Sequence, residues 1–198
     1  MKDKVATLAI LIAALLATAP ALGRSDESTK EQSHFSCEQE YVNEPVRQPV
    51  TLSAEALEAL AEDQNVDACL KEAGKSADQA FSWFVASEIH LGGEDEIDYV
   101  VLPSLLLNGE QPGGAPNNAC FRGANAALFW ALRRTKQGYT LAFSGSGHDL
   151  DILRHRTNGL RDIRTSTAIQ AGGMISETVY RFDGRRYVMV KVDERPGE

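Results

Sequence analysis

Apolar positions along the chain follow two periods, and the change between them falls near residue 80. In "TLSAEALEALAEDQNVDACLKEAGK", residues Leu57, Leu60, Ala61, Cys69 and Leu70 fall on one stripe at helical spacing. Ser53 offers an N-cap with Glu55 in the first turn, Gly74 supplies a stop, and a break is expected near Asn65. Such a helix buries one face and needs a partner layer. Beyond it the period is two: Phe81, Trp83 and Val85 alternate with Ser82, Phe84 and Ala86, and Tyr99 to Leu102 make a short buried run. "AALFWALRRTKQGYTLAFSG" reads as two strands around Gly138, and "DLDILRH" and "RDIRTST" flank Thr157-Asn158-Gly159, where Asn-Gly suits positive φ. "ETVYRFDGRRYVMVKV" is the clearest element, two alternating strands joined by Asp183-Gly184. "NGEQPGGAPNNACFRG" carries too much Gly and Pro for regular structure and reads as a loop. Together these predict an α+β domain over 49–198, with one main N-terminal helix packed on an antiparallel sheet of about seven or eight strands.

Ahead of that domain, residues 1–23 have the layout of a secretory signal peptide: Lys2 and Lys4, an apolar run from Val5 to Ala17, then small residues and Pro20. The apolar run is shorter than the ~20 residues of a spanning helix, so no membrane span is expected after its removal. Residues 24–48 are polar and lack any hydrophobic period, and read as a flexible leader. A periplasmic or secreted location follows. The net charge of −8 argues against a nucleic-acid partner, because no global positive field would attract phosphate. The charge is divided unevenly: 5 basic and 18 acidic residues lie between Arg24 and Asp98, against 13 basic and 9 acidic from Tyr99 onward. Arg154, Arg156, Arg161 and Arg164 are candidates for a surface facing an anionic partner. Three cysteines allow one disulfide. Cys69 with Cys120 is favoured over either bond to Cys37, because pinning the Gly/Pro/Asn loop before Cys120 gains most.

The chemistry worth weighing centres on "EIHLGGEDEIDYVV", where Glu88, Glu94, Asp95, Glu96 and Asp98 crowd ahead of a strand. Together with "GANAALFW", "GYTLAFSG", "HDLDILRHRTNGLRDI" and "YRFDGRRYV", this stretch resembles exported bacterial proteins of unknown function that are similar to single FG-GAP/VCBS-type units. In those units a loop of the form D-x-N-x-D-G-x-x-D-Y precedes a strand. The resemblance spans roughly Ser82 to Val192; it implies a secreted β-rich domain and no catalytic residue. Matching Asp98-Tyr99 to the closing D-Y places His90, Gly92 and Glu94 where Asp, Asn and Asp would stand. Only Glu94 and Asp98 remain as metal-ligand candidates, short of the six to eight oxygens calcium takes, so a solvated turn is expected there and no cofactor.

Other constellations fall short in the same way. Ser146 and His148 in "SGSGHD" lack the spacing of a G-x-S-x-G elbow. His90, His148 and His155 lie on separate elements without paired ligand spacing. Phe129 and Trp130 are neighbours and in a strand face opposite sides; core packing is the default for both, and an exposed Trp130 would be a natural anchor for a partner. The resulting expectation is a non-enzymatic binding domain for a protein or glycan of the cell envelope, using a sheet face or the loop at 108–119. The alternative is an envelope hydrolase working through the acidic residues at 88–98 with His90 or His148 assisting, which requires one carboxylate desolvated in a cleft.

Overall fold

The structure is a computed structural model and describes residues 33–36, 50–93, 95–104, 120–121, 126–170 and 173–197. Strand β1 (Ser33–Ser36) precedes helices α1 (Ala54–Leu60) and α2 (Gln64–Ala73) and a 3-10 helix (Ala77–Trp83). Eight strands follow: β2 (Phe84–Ile89), β3 (Asp98–Pro103), β4 (Ala127–Thr135), β5 (Gly138–Gly147), β6 (Asp149–Thr157), β7 (Leu160–Gln170), β8 (Met174–Phe182) and β9 (Tyr187–Pro196). The α+β class stands, but the strands form two antiparallel sheets rather than one. One sheet has the order β2-β3-β4-β5 and the other β1-β6-β7-β8-β9.

The chain changes sheets at His148, between β5 and β6. Gly147 makes the crossing possible: a Cβ there would sit 2.9 Å from the Ser166 carbonyl oxygen and 3.0 Å from Thr165 Cβ. The second glycine of "SGSG" therefore serves a backbone crossing, which the sequence pattern leaves hidden. β4 explains why the sheets stack. Its alternate residues Ala127, Phe129 and Ala131 join a core between the sheets, with Leu150, Ile152, Ile163, Phe182 and Tyr187 from the larger one. Trp130 and Leu132, on its other face, join a second core with Leu57, Leu60, Val66, Leu70 and Trp83 from the helical layer. The smaller sheet is thus covered on both faces, and "ALFWAL" is continuously apolar for that reason.

The expected main helix is divided in two, and the division lies near Asn65 where a break was anticipated. Ser53 Oγ accepts from the Ala56 N–H as predicted, but α1 stops at Leu60 and Asp63 starts a new helix, its Oδ1 accepting from Asn65 N and Val66 N. The other oxygen of Asp63 accepts from Ser144 Oγ at 2.5 Å, which ties the inter-helix turn to β5. Gly74 closes α2 in the left-handed region at φ 62°. The alternation at Phe81 to Val85 belongs to the 3-10 helix and its exit, so the strand begins only at Phe84. β1 lies in the stretch expected to be a flexible leader; it pairs antiparallel with β6, His34 opposite Asp151. The rest of the stretches expected to be a leader and a signal peptide lie outside the described residues.

Candidate functional site

The acidic loop is closed by its own backbone. Asp98 is fully buried at the start of β3; its Oδ2 accepts from the Leu91 N–H and its Oδ1 from the Arg134 N–H, both at 2.8 Å. Burial raises its pKa, partly offset by those two N–H donors. His90 Nδ1 lies 2.9 Å from the Glu96 carbonyl oxygen, bridging the loop's two arms. Glu88, Asp95 and Glu96 are exposed, and Glu94 lies outside the described residues. The arrangement spends Asp98 on a staple between β3, β4 and the loop, and leaves its other described carboxylates in solvent.

A cation does reach this loop, and it is a side chain. Arg156 Nη1 donates to the Leu91 carbonyl at 2.9 Å, to the Gly92 carbonyl, and to Gly159 O at 3.3 Å. Arg161 N donates to the same Leu91 oxygen at 2.9 Å. The loop's carbonyl oxygens are thereby turned onto the β6–β7 hairpin. Arg161 itself is a correction to the expected surface set: it is 7% exposed, and its guanidinium donates to Leu153 O at 2.9 Å and Ile152 O at 3.1 Å where the β6–β7 register shifts. It fills a bulge rather than facing a partner. Tyr187 Oη donates to Arg161 O at 2.5 Å, and burial pushes that hydroxyl's pKa up.

Trp130 is the second correction. It is 0% exposed and packs edge-on against Phe84 and Phe121, because the helical layer covers the face it points to. The condition for a surface anchor is not met. The 108–119 loop lies outside the described residues. Cys69 and Cys120 form a disulfide, with Cα atoms 6.2 Å apart, that ties α2 to the segment beside Phe121.

The histidines stay apart. His148 sits at the sheet crossing, its N–H donating to Ser166 O at 2.6 Å, while Ser146 is exposed on the preceding strand. His155 Nδ1 lies 2.8 Å from Oδ2 of buried Asp162, which also accepts from Arg181 Nε at 3.2 Å. His34 Nδ1 lies 2.8 Å from Asp151 Oδ1. Among the described residues no three His, Cys, Asp or Glu side chains gather as a metal set.

The outer face of the five-stranded sheet is organised by charge. His34, Asp151, Arg164, Glu177 and Arg195 form a transverse row across β1, β6, β7, β8 and β9. Arg164 donates to Asp151 Oδ2 at 2.7 and 3.0 Å and to Glu177 at 3.5 Å; Arg195 donates to Glu177 at 3.0 Å. Burial pulls the Arg164 guanidinium's pKa down, but the hydrogen bonds and charge of Asp151, with Glu177 behind, raise it overall. Arg164, the fourth arginine of the expected group, is therefore internal to this row.

A group of solvent-exposed arginines lies at one end of that sheet. The β6–β7 and β8–β9 turns sit side by side there, with Asn158 Nδ2 donating to Phe182 O at 2.7 Å. Arg154, His155, Arg156, Arg181, Arg185 and Arg186 are exposed around these two turns. The nearby acids are committed: Asp162 is buried beneath His155 and Arg181, and Asp183 Oδ1 accepts from the Arg185 and Arg186 N–H groups. Arg154 and Arg156 were anticipated; Arg181, Arg185 and Arg186 were not. The signal for them was the "DGRR" turn itself, which exposes both arginines once the hairpins are set next to each other. Comparison with protein-family models, curated proteins and solved structures finds no match.

Proposed function

We propose that this chain is an exported, non-enzymatic interaction domain that binds an acidic protein of the cell envelope through the basic end of its five-stranded sheet. The observation that carries the reading is the gathering of exposed Arg154, Arg185 and Arg186 around two adjacent turns, next to Arg156, whose Nη1 is held on the acidic loop's carbonyls, and Arg181, which is paired with Asp162. A protein fits better than a glycan, since sugar recognition uses aromatic platforms and the one large aromatic exposed among the described residues is Phe81, on the 3-10 helix. The disulfide supports an oxidising compartment, in line with the signal-like N-terminus. The hydrolase alternative asks for one desolvated carboxylate, and Asp98 is desolvated, but both of its oxygens are occupied by backbone N–H groups and Glu88, Asp95 and Glu96 are solvated, which favours the binding reading.

The test compares the protein with an Arg154→Glu/Arg185→Glu/Arg186→Glu variant in affinity capture from an envelope fraction. All three positions are exposed, so the variant is expected to fold, which far-UV circular dichroism checks. The expected result is an acidic protein retained by the parent, released as salt shrinks the screening length below ~10 Å, and absent from the variant's eluate. Equal capture by both proteins overturns the proposal.

A further inference from the structure

The β9 strand ends the five-stranded sheet, and among the described residues none pairs with its outer side. It is ten residues long, and three of the large exposed hydrophobics of the molecule lie on it: Met189 at 63%, Val190 at 46% and Val192 at 52%. An edge of that length and composition is a template for another strand. The charges on β9 specify which strand. Lys191 and Asp193 point to the same face as the transverse charge row, being paired with Val179 and Glu177 of β8. Asp193 faces Glu177 across the β8–β9 pair, and Lys191 of its own strand holds it at 2.5 Å, so the open edge carries one exposed pair of opposite charges either side of Val192.

A second copy of β9 presents the complementary pair to this edge. When an antiparallel strand pairs with itself about a two-fold axis, residues opposite each other share a face, so the axis passes through a residue. Centred on Lys191 or on Asp193, the pairing sets like charges against each other at the axis. A centre on Asp193 also opposes Lys191 to Arg195. Centred on Val192, it sets Lys191 opposite the partner copy's Asp193 and the reverse, with the two Val192 side chains in contact. Val190, the extra residue that shifts register between Val179 and Tyr180, lies outside this central triplet. We infer that the protein forms a two-fold dimer by β9-to-β9 pairing centred on Val192, joining two five-stranded sheets into one of ten strands. This surface is separate from the basic end and does not depend on it.

Sedimentation velocity on the full mature protein at about 100 μM tests the inference. The parent is expected to sediment as a dimer. Lys191→Glu and Asp193→Lys each set two like-charged pairs across the axis and are expected to weaken the dimer roughly tenfold or more. Mixed in equal amounts, these two variants restore opposite charges at both pairs and are expected to form a heterodimer. The double swap Lys191→Asp/Asp193→Lys is expected to recover self-association. Far-UV circular dichroism checks that each variant is folded, which the exposure of both positions favours. A monomeric parent, or a dimer indifferent to the single reversals, overturns the inference.

Discussion

Asp98 shows how one side chain decides what the acidic loop is for. Both of its oxygens hold backbone N–H groups, from Leu91 and Arg134, and burial raises its pKa. Asp98→Ala leaves two buried donors unmatched and is expected to cost about 2–4 kcal/mol in urea unfolding. Asp98→Asn, which must turn an NH2 toward one of those donors, is expected to cost about 1–3 kcal/mol. The pH dependence has a definite sign. A carboxyl whose folded pKa lies above its unfolded value of 3.8 binds more protons when folded, so its contribution is full below that value and fades as pH rises through the folded pKa. The parent's stability advantage over Asp98→Asn is therefore expected to be greatest at acid pH and to shrink through that window. An advantage that grows with pH there contradicts the assignment. The residue types at 90, 92, 94 and 98 pointed to a solvated turn with Glu94 and Asp98 as the remaining ligand candidates; Asp98 is instead buried and spent on two backbone N–H groups, and Glu94 lies outside the described residues. The docking of Arg156 on its carbonyls was hidden, because a contact over 65 positions leaves no local pattern.

At the scale of elements, the legible parts were those written in local chemistry. Asn158 at φ 50° and Gly159 at φ 84° form the β6–β7 turn, and the Asp183-Gly184 hairpin is present, though Phe182 pairs with Tyr187 across a four-residue turn capped by Asp183. Ser53 and Gly74 mark helix ends as expected. The division into two sheets was not legible, since alternation reports that a face is buried without saying what buries it. The Cys69–Cys120 pairing was favoured from the loop it closes, and it is present. Closing a span of 51 residues restrains the unfolded chain by up to about 4 kcal/mol in the chain-entropy account. A Cys69→Ala/Cys120→Ala variant is expected to unfold at clearly lower urea than the parent, and the parent with reductant to move toward it. Identical midpoints would mean that α2 and the segment at Phe121 stay associated without the bond.

At the largest scale, the described residues form three layers that share one sheet. Phe129 and Ala131 belong to the core between sheets, while Trp130 and Leu132, next to them in the chain, belong to the helical core. Neither core can open without disturbing strand β4 or its partner β3, where Val100 and Val101 divide in the same way. The layers should therefore unfold together. Both tryptophans, Trp83 and Trp130, lie in the helical core and are buried, so their fluorescence reports that layer, while far-UV circular dichroism is dominated by the strands of both sheets. In urea the two signals are expected to give one coincident transition. The sharper check uses one truncation in each core. Leu60→Ala lies among the tryptophans and Ile163→Ala on the far side of the shared sheet, and each is expected to cost about 2–5 kcal/mol. If β4 couples the layers, Ile163→Ala lowers the fluorescence midpoint as far as the dichroism midpoint, although its side chain belongs to the core without tryptophan. If the helical layer is held independently, fluorescence stays at the parent midpoint while dichroism falls, and the alternation along "ALFWAL" would then join two cores in space without joining them in stability.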